Sequence, residues 1–152
     1  MTNYMGLTTI NSSDYITPST INENFQKLDV LGLDYVTESG TSGEWWYRKW
    51  KSGRAECGID NKQFAEFSNW TPSGLGGYRS PDFSFGAYPF SFASRPFTSI
   101  IFEGDANNAD RGSYCVPRNS TSTTLSPSFF IMDGMQKSMK PTCGIFVIGR
   151  YK

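Results

Sequence analysis

The sequence contains no histidine and carries no net charge: 14 Lys+Arg balance 14 Asp+Glu over 152 residues. Without imidazole there is no Ser-His-Asp or Cys-His relay, no histidine metal ligand and no histidine pH switch. A zero net charge withholds the basic face that contacts duplex phosphates, so no nucleic-acid partner is expected. Charged residues make up 18% of the chain, below the usual share of about 25%. No apolar run approaches the ~18 residues needed to span a bilayer, and no membrane insertion is expected. Residues 1–10 lack the basic n-region and apolar h-region of a signal peptide, which predicts synthesis in a cytoplasm without export by the general secretory route. Cysteine is sparse: Cys57, Cys115 and Cys143 have no CxxC spacing for zinc or redox work. They read as three half-buried thiols acting as small hydrophobes. One intramolecular disulfide with a spare thiol is the alternative.

What is abundant is aromatic and turn chemistry. Twelve Phe, eight Tyr and four Trp reach 16% of the chain, beside 15 Gly and 8 Pro. That balance favours a mainly β protein over a helical bundle or a disordered chain. The length suits one domain, or one small domain with a short appendage.

Residues 1–17 are polar and rich in Ser, Thr and Asn, and read as an extended arm. Thr17 is then a plausible N-cap, with Pro18 at N1 and Ile16 and Ile21 placed for a hydrophobic staple. Ile21, Phe25, Leu28 and Leu31 fall on one helical stripe, and Gly32 fits the stop. A helix of about 14 residues is too short to stand alone in water. It packs either on its own β-domain or against two sister copies about an axis, as in a short coiled coil.

After Gly32 the period changes to two. Candidate strands are residues 33–38, 44–50, 54–59, 64–67, 88–92, 97–103, 112–117, 128–132 and 142–151, eight or nine strands spaced near 10 residues, which suits a sandwich or barrel. Ser39-Gly40-Thr41-Ser42-Gly43 reads as a turn, and Lys51-Ser52-Gly53 closes a hairpin between 44–50 and 54–59. Along 44–50, Trp46, Arg48 and Trp50 face one way and Trp45, Tyr47 and Lys49 the other. Rings on both faces suit a strand buried by its own core on one side and by a neighbouring subunit on the other. Residues 68–82 read as a long exposed loop.

Catalytic patterns are weak. The carboxylates are scattered, and Glu56 with Glu66 is the best guess at an acid/base pair. The glycines from Gly74 to Gly77 lack the Lys-Ser/Thr of a phosphate loop. The turn from Asp105 to Asp110 offers hard oxygen ligands without an EF-hand register and reads as Asn/Asp capping. No enzyme activity, cofactor or metal is expected. Trp70, Tyr78 and Arg79 stand out because they lie in a Gly/Pro-rich stretch. A ring can stack on the apolar face of a sugar while Asn, Asp and Arg take its hydroxyls. Trp70 folding back as a lid over the core is the competing reading.

The run Gly43-Glu44-Trp45-Trp46-Tyr47-Arg48-Lys49-Trp50-Lys51-Ser52-Gly53-Arg54-Ala55-Glu56-Cys57-Gly58 resembles a hairpin common in tail-fibre and minor structural proteins of phages and prophages. Tyr88-Pro89-Phe90-Ser91-Phe92 with Pro96-Phe97, the ending Thr142-Cys143-Gly144-Ile145-Phe146-Val147-Ile148-Gly149-Arg150-Tyr151, and residues 20–29 are similar to other pieces of their C-terminal regions. The likeness spans residues 18–152. Gly58 is followed by Ile59, and Trp46 stands where a small polar residue is usual. The resemblance implies an antiparallel β-sandwich head preceded by a short N-terminal helix, homotrimeric and non-enzymatic, in a virion assembled in a bacterial host. It implies residues 1–33 as arm and trimerising helix, contacting other tail or capsid proteins, and 34–152 as the head.

On this reading Ile21, Phe25, Leu28, Leu31, Trp45 and Trp46 form the trimer interface. The head binds a host surface polysaccharide or protein through loops 68–82 and 104–111, with Trp70, Tyr78, Arg79, Asn107, Asn108, Asp110 and Arg111 as candidates. Receptor loops of this family carry no fixed motif, so none of these comes from the resemblance itself. A purely structural collar, head-fibre, baseplate or adaptor protein is the alternative, and a carbohydrate-active enzyme or free lectin a third.

Overall fold

The computed structural model describes residues 21–24, 26, 32–74, 76–108 and 112–152. The chain divides into two units, Met1–Tyr35 and Val36–Lys152. In the first, residues 21–24 and Gln26 have helical backbone and Ile21 is exposed. Phe25, Leu28 and Leu31, the rest of the expected stripe, lie outside the described residues, as does the arm of residues 1–17.

The second unit is mainly β, built from two antiparallel sheets in the manner of a sandwich. Strands β1 (Val36–Ser42), β2 (Trp45–Trp50), β3 (Arg54–Gln63), β6 (Phe97–Asp105) and β9 (Pro141–Arg150) form one sheet, in the order β1-β2-β3-β9-β6. Strands β4 (Thr71–Pro72), β5 (Tyr78–Arg79), β7 (Tyr114–Pro117) and β8 (Phe129–Asp133) form the other, in the order β4-β5-β8-β7. Two glycine turns drive the first three strands together. Gly43 (φ 61°) and Gly53 (φ 86°) occupy the left-handed region that other residues enter at a cost.

Four expectations need correcting. Residues 64–67 form no strand, only a single bridge from Phe67 to Met139. Ser39, Gly40, Thr41 and Ser42 belong to β1, and the chain reverses only at Gly43-Glu44. Gly40 is tolerated in the strand because the Tyr47 ring fills the space its missing side chain leaves. The stretch 68–82 contains the β4–β5 hairpin, closed by a Ser73 N–H to Gly77 carbonyl bond of 3.0 Å. Residues 88–92 are not a strand. Pro89 has no N–H to donate, and the amides of Tyr88 and Phe92 bond the carbonyls of Thr124 and Thr123 at 2.9 Å. The segment works as an aromatic plug instead: Tyr88 meets Trp45 edge-on at 5.7 Å and Phe92 at 5.3 Å.

The core lies between the sheets. β3, β9 and β8 alternate Ala55, Cys57 and Ile59, then Cys143, Ile145 and Val147, then Phe129 and Ile131 into it, joined by Phe85 and Met139 from loops. Burying these side chains supplies the main driving force for the fold, roughly 1.5–3 kcal/mol for each large apolar one. Lys49 also points inward, as the alternation along β2 predicts. Its ammonium sits 4.9 Å from the Phe90 ring centre and 5.4 Å from that of Tyr151. It donates to Glu38 at 2.9 Å, and that bond holds the Glu38 carboxyl below its ordinary range. The three cysteines are free thiols, with Cys57 and Cys143 buried and Cys115 half-buried. Cys115 and Cys143 bring their sulfurs to 3.7 Å across the two sheets.

Candidate functional site

Two surfaces built by strand register present chemistry to a partner. The first is the outward face of the five-stranded sheet. Pairing aligns Trp46 with Gly58 and Gly58 with Phe146, while the next row runs Arg48, Glu56, Ile148 and Phe97. The Trp46 and Phe146 rings lie 6.0 Å apart, and the row beyond adds Ile101, 55% exposed. Glu56 is only 8% exposed although it lies on this outward face. Arg48 and Arg54 flank its carboxylate at 3.6 and 3.8 Å. Sequence reasoning placed both Trp45 and Trp46 at a subunit contact. Trp46 does face outward, but Trp45 belongs to the chain's own core, because β2 turns alternate residues to opposite sides.

The second surface is a groove of about 370 Å³ on the outward face of the four-stranded sheet. Cross-strand pairing sets Thr71, Arg79, Met132 and Tyr114 in one row, with Val116 and Phe130 behind. The Arg79 side chain makes no ion pair or hydrogen bond among the described residues, so its guanidinium is free to meet a ligand. Tyr114 is 59% exposed. A half-buried apolar floor with one free cation and one exposed phenol can hold an uncharged or acidic polar molecule by stacking and hydrogen bonding.

The expected receptor residues divide. Arg79 lies in this groove; Tyr78, its neighbour in β5, does not line it. Trp70 is held elsewhere. Its ring packs on Phe67 at 4.7 Å, and its indole N–H donates to the Lys137 carbonyl at 2.8 Å. That is the lid over the core, not a free stacking platform. Asn107 and Asn108 serve the turn after β6. The Asp105 carboxylate accepts the Asn107 and Lys140 amides at 3.0 and 2.9 Å and the Asn108 side chain at 3.2 Å. The Asn107 side chain donates to Glu66 at 3.0 Å, and Glu66 also accepts from Ser138. Trp70 and Asn107 thus meet one segment, residues 137–138, as structural ties. Asp110 and Arg111 lie outside the described residues. Glu56 and Glu66, the carboxylate pair singled out in the sequence, are each engaged with different partners. Among the described residues, no three His, Cys, Asp or Glu side chains are grouped to hold a metal ion.

Sequence reasoning missed Tyr114, Val116, Phe130 and Met132. Alternation along β7 and β8 would have turned them outward, but the pairing that sets them beside Arg79 spans 35 residues or more of chain. Comparison with family models, with curated proteins and with solved structures found no match for this chain.

Proposed function

We propose that this chain is a non-enzymatic fibre or tail protein of a phage virion. Its β-head forms a homotrimer and binds a host cell-surface receptor, a glycan on our reading, while the N-terminal arm engages other tail or capsid proteins. The observation that carries the reading is the outward face of the five-stranded sheet, where Trp46, Phe146, Ile148 and exposed Ile101 lie on the side away from the core. A sister copy covers the part of that face around Trp46, Phe146 and Ile101, and the stripe of Ile21, Phe25, Leu28 and Leu31 pairs with those of two sister copies. Three copies of the Arg79–Tyr114 groove then act together. A shallow site with weak affinity gains ~10²–10⁴-fold through effective concentration when three are linked. The structural alternative, a collar, baseplate or adaptor protein, is favoured by one finding: Trp70, Asn107 and Asn108 are engaged in the chain's own packing.

Sedimentation and an array of bacterial surface polysaccharides test both parts. The wild type is expected at three times 17.0 kDa, and Ile101→Glu is expected at the monomer mass. Array binding is expected to fall at least tenfold in Arg79→Ala and Tyr114→Ala with the mass unchanged. A monomer at micromolar concentration that retains no glycan overturns the proposal. A trimer that retains none moves the assignment to the structural alternative.

A further inference from the structure

A second cavity, about 560 Å³, opens where the sheets meet at their edges, between the start of β6 and the end of β7. Its lining is chemically one-sided. Arg95 and Arg118 both contribute, and no Asp or Glu does among the described residues. That is unusual in a chain whose charges cancel overall. The two cations differ. Arg118 is committed: it donates to Asp82 at 2.9 Å and lies 4.5 Å over the Phe130 ring. Arg95 is exposed and has neither ion pair nor hydrogen bond among the described residues.

Around Arg95 stand groups suited to a sugar. Phe97 presents a ring that is 67% exposed, the largest value among the exposed apolar side chains. Asn119 brings a side-chain amide with no partner among the described residues. Below them the buried Tyr88 hydroxyl lies 3.4 Å from that of Thr98. Burial raises the Tyr88 pKa, and the bond with Thr98 opposes that shift in part. Pro96 and Pro117 line the walls and limit their backbone freedom. A binding site preformed in this way loses little entropy on occupation.

We propose that this edge cavity binds a saccharide unit bearing an anionic substituent. Phe97 stacks on the apolar face of the ring, Asn119 takes hydroxyls, and Arg95 pairs with the carboxylate or phosphate. The inference rests on reading the chain as a glycan binder, and it adds the charge of the sugar and a contact point separate from the Arg79 groove. A charge-assisted hydrogen bond of this kind discriminates by roughly tenfold or more.

The test is an NMR titration of the full chain with methyl β-D-glucuronide, methyl β-D-glucoside and inorganic phosphate. The glucuronide is expected to shift the amides of residues 95, 97–98 and 118–122, with the glucoside at least tenfold weaker. Arg95→Gln is expected to abolish that difference, and Phe97→Ala to weaken both sugars. Phe97→Leu keeps bulk on β6 if alanine disturbs the strand. Equal affinity for the two sugars, phosphate binding as tightly as the glucuronide, or no shift at these amides overturns the site. Polysaccharide binding that survives Arg95→Gln and Phe97→Leu on the array overturns this site alone, whereas its absence from the wild type overturns the glycan reading itself.

Discussion

Replacing Gly58 with alanine tests the outward face of the five-stranded sheet at its tightest point. A Cβ added there would lie 2.7 Å from the Ile145 carbonyl oxygen and 2.7 Å from the Cζ2 atom of Trp46. Neither neighbour yields easily. The carbonyl belongs to the β3–β9 ladder, where Gly58 pairs with Phe146. The indole is bounded by the Phe146 ring at 6.0 Å and the Arg48 guanidinium at 6.0 Å. Overpacking by one methyl group costs about 1–3 kcal/mol. With one of the two obstacles on the backbone, the upper half of that range is expected. For a domain of this size about 2–3 kcal/mol corresponds to a melting midpoint lowered by roughly 8–12 °C.

The double variant Gly58→Ala/Trp46→Ala removes the indole obstacle and leaves the carbonyl. Its cost is therefore expected to be smaller than the sum of the single changes, by about 0.5–3 kcal/mol of coupling. Thermal and urea denaturation of the four proteins give the cycle directly. Gly58→Ala melting within about 1 °C of wild type, or single changes that simply add, would refute the placement of Trp46 over Gly58. The outward packing of Trp46 beside Phe146 would fall too.

Three further outcomes follow from packing and burial. Trp70→Phe keeps a ring against Phe67 but loses the bond to the Lys137 carbonyl. It is expected to cost about 1 kcal/mol in chemical denaturation while leaving glycan-array binding within twofold of wild type. Burial, reinforced by the Glu56 charge, pushes the Cys57 thiol from 9.0 up to about 12, and the Cys115 thiol and burial push Cys143 upward. Only thiolates alkylate quickly, so iodoacetamide at pH 8.5 is expected to label the half-buried Cys115 first. Because folding raises the Cys57 pKa, its contribution to stability is complete below pH 9 and declines as the pH rises toward 12. The stability gap between wild type and Cys57→Ala is expected to narrow over that window, and a constant gap contradicts the burial argument.

Much of the fold was legible because strands and tight turns are local events. The two-faced alternation of β2, the Lys51-Ser52-Gly53 turn and the long apolar strand at the C-terminus all followed from neighbouring residues. The misreadings share one cause. Tyr88, Phe90 and Phe92 alternate as a strand does, but the amides of Tyr88 and Phe92 find loop carbonyls at residues 124 and 123. Ser39 to Ser42 have turn composition, yet β2 supplies a ladder that overrides it. The candidate sites were less legible. Arg79 was found from its Gly/Pro-rich setting, whereas Trp70 and Asn107 look alike in sequence and proved to be structural ties.

Composition and short-range spacing were enough to establish a mainly β chain, the inward and outward sides of β2, and the lack of any histidine-based chemistry. They act over a few residues, where φ/ψ preference and alternation suffice. Which ring is core and which is surface, and which cation is paired and which is free, depended on strands distant in the chain. Trp70 found the Lys137 carbonyl, Arg118 found Asp82, and the Arg79 and Arg95 side chains were left without such a partner among the described residues. Those pairings arise when two sheets close over one core, and no local pattern encodes the neighbour that a fold brings from 36 or 67 residues away.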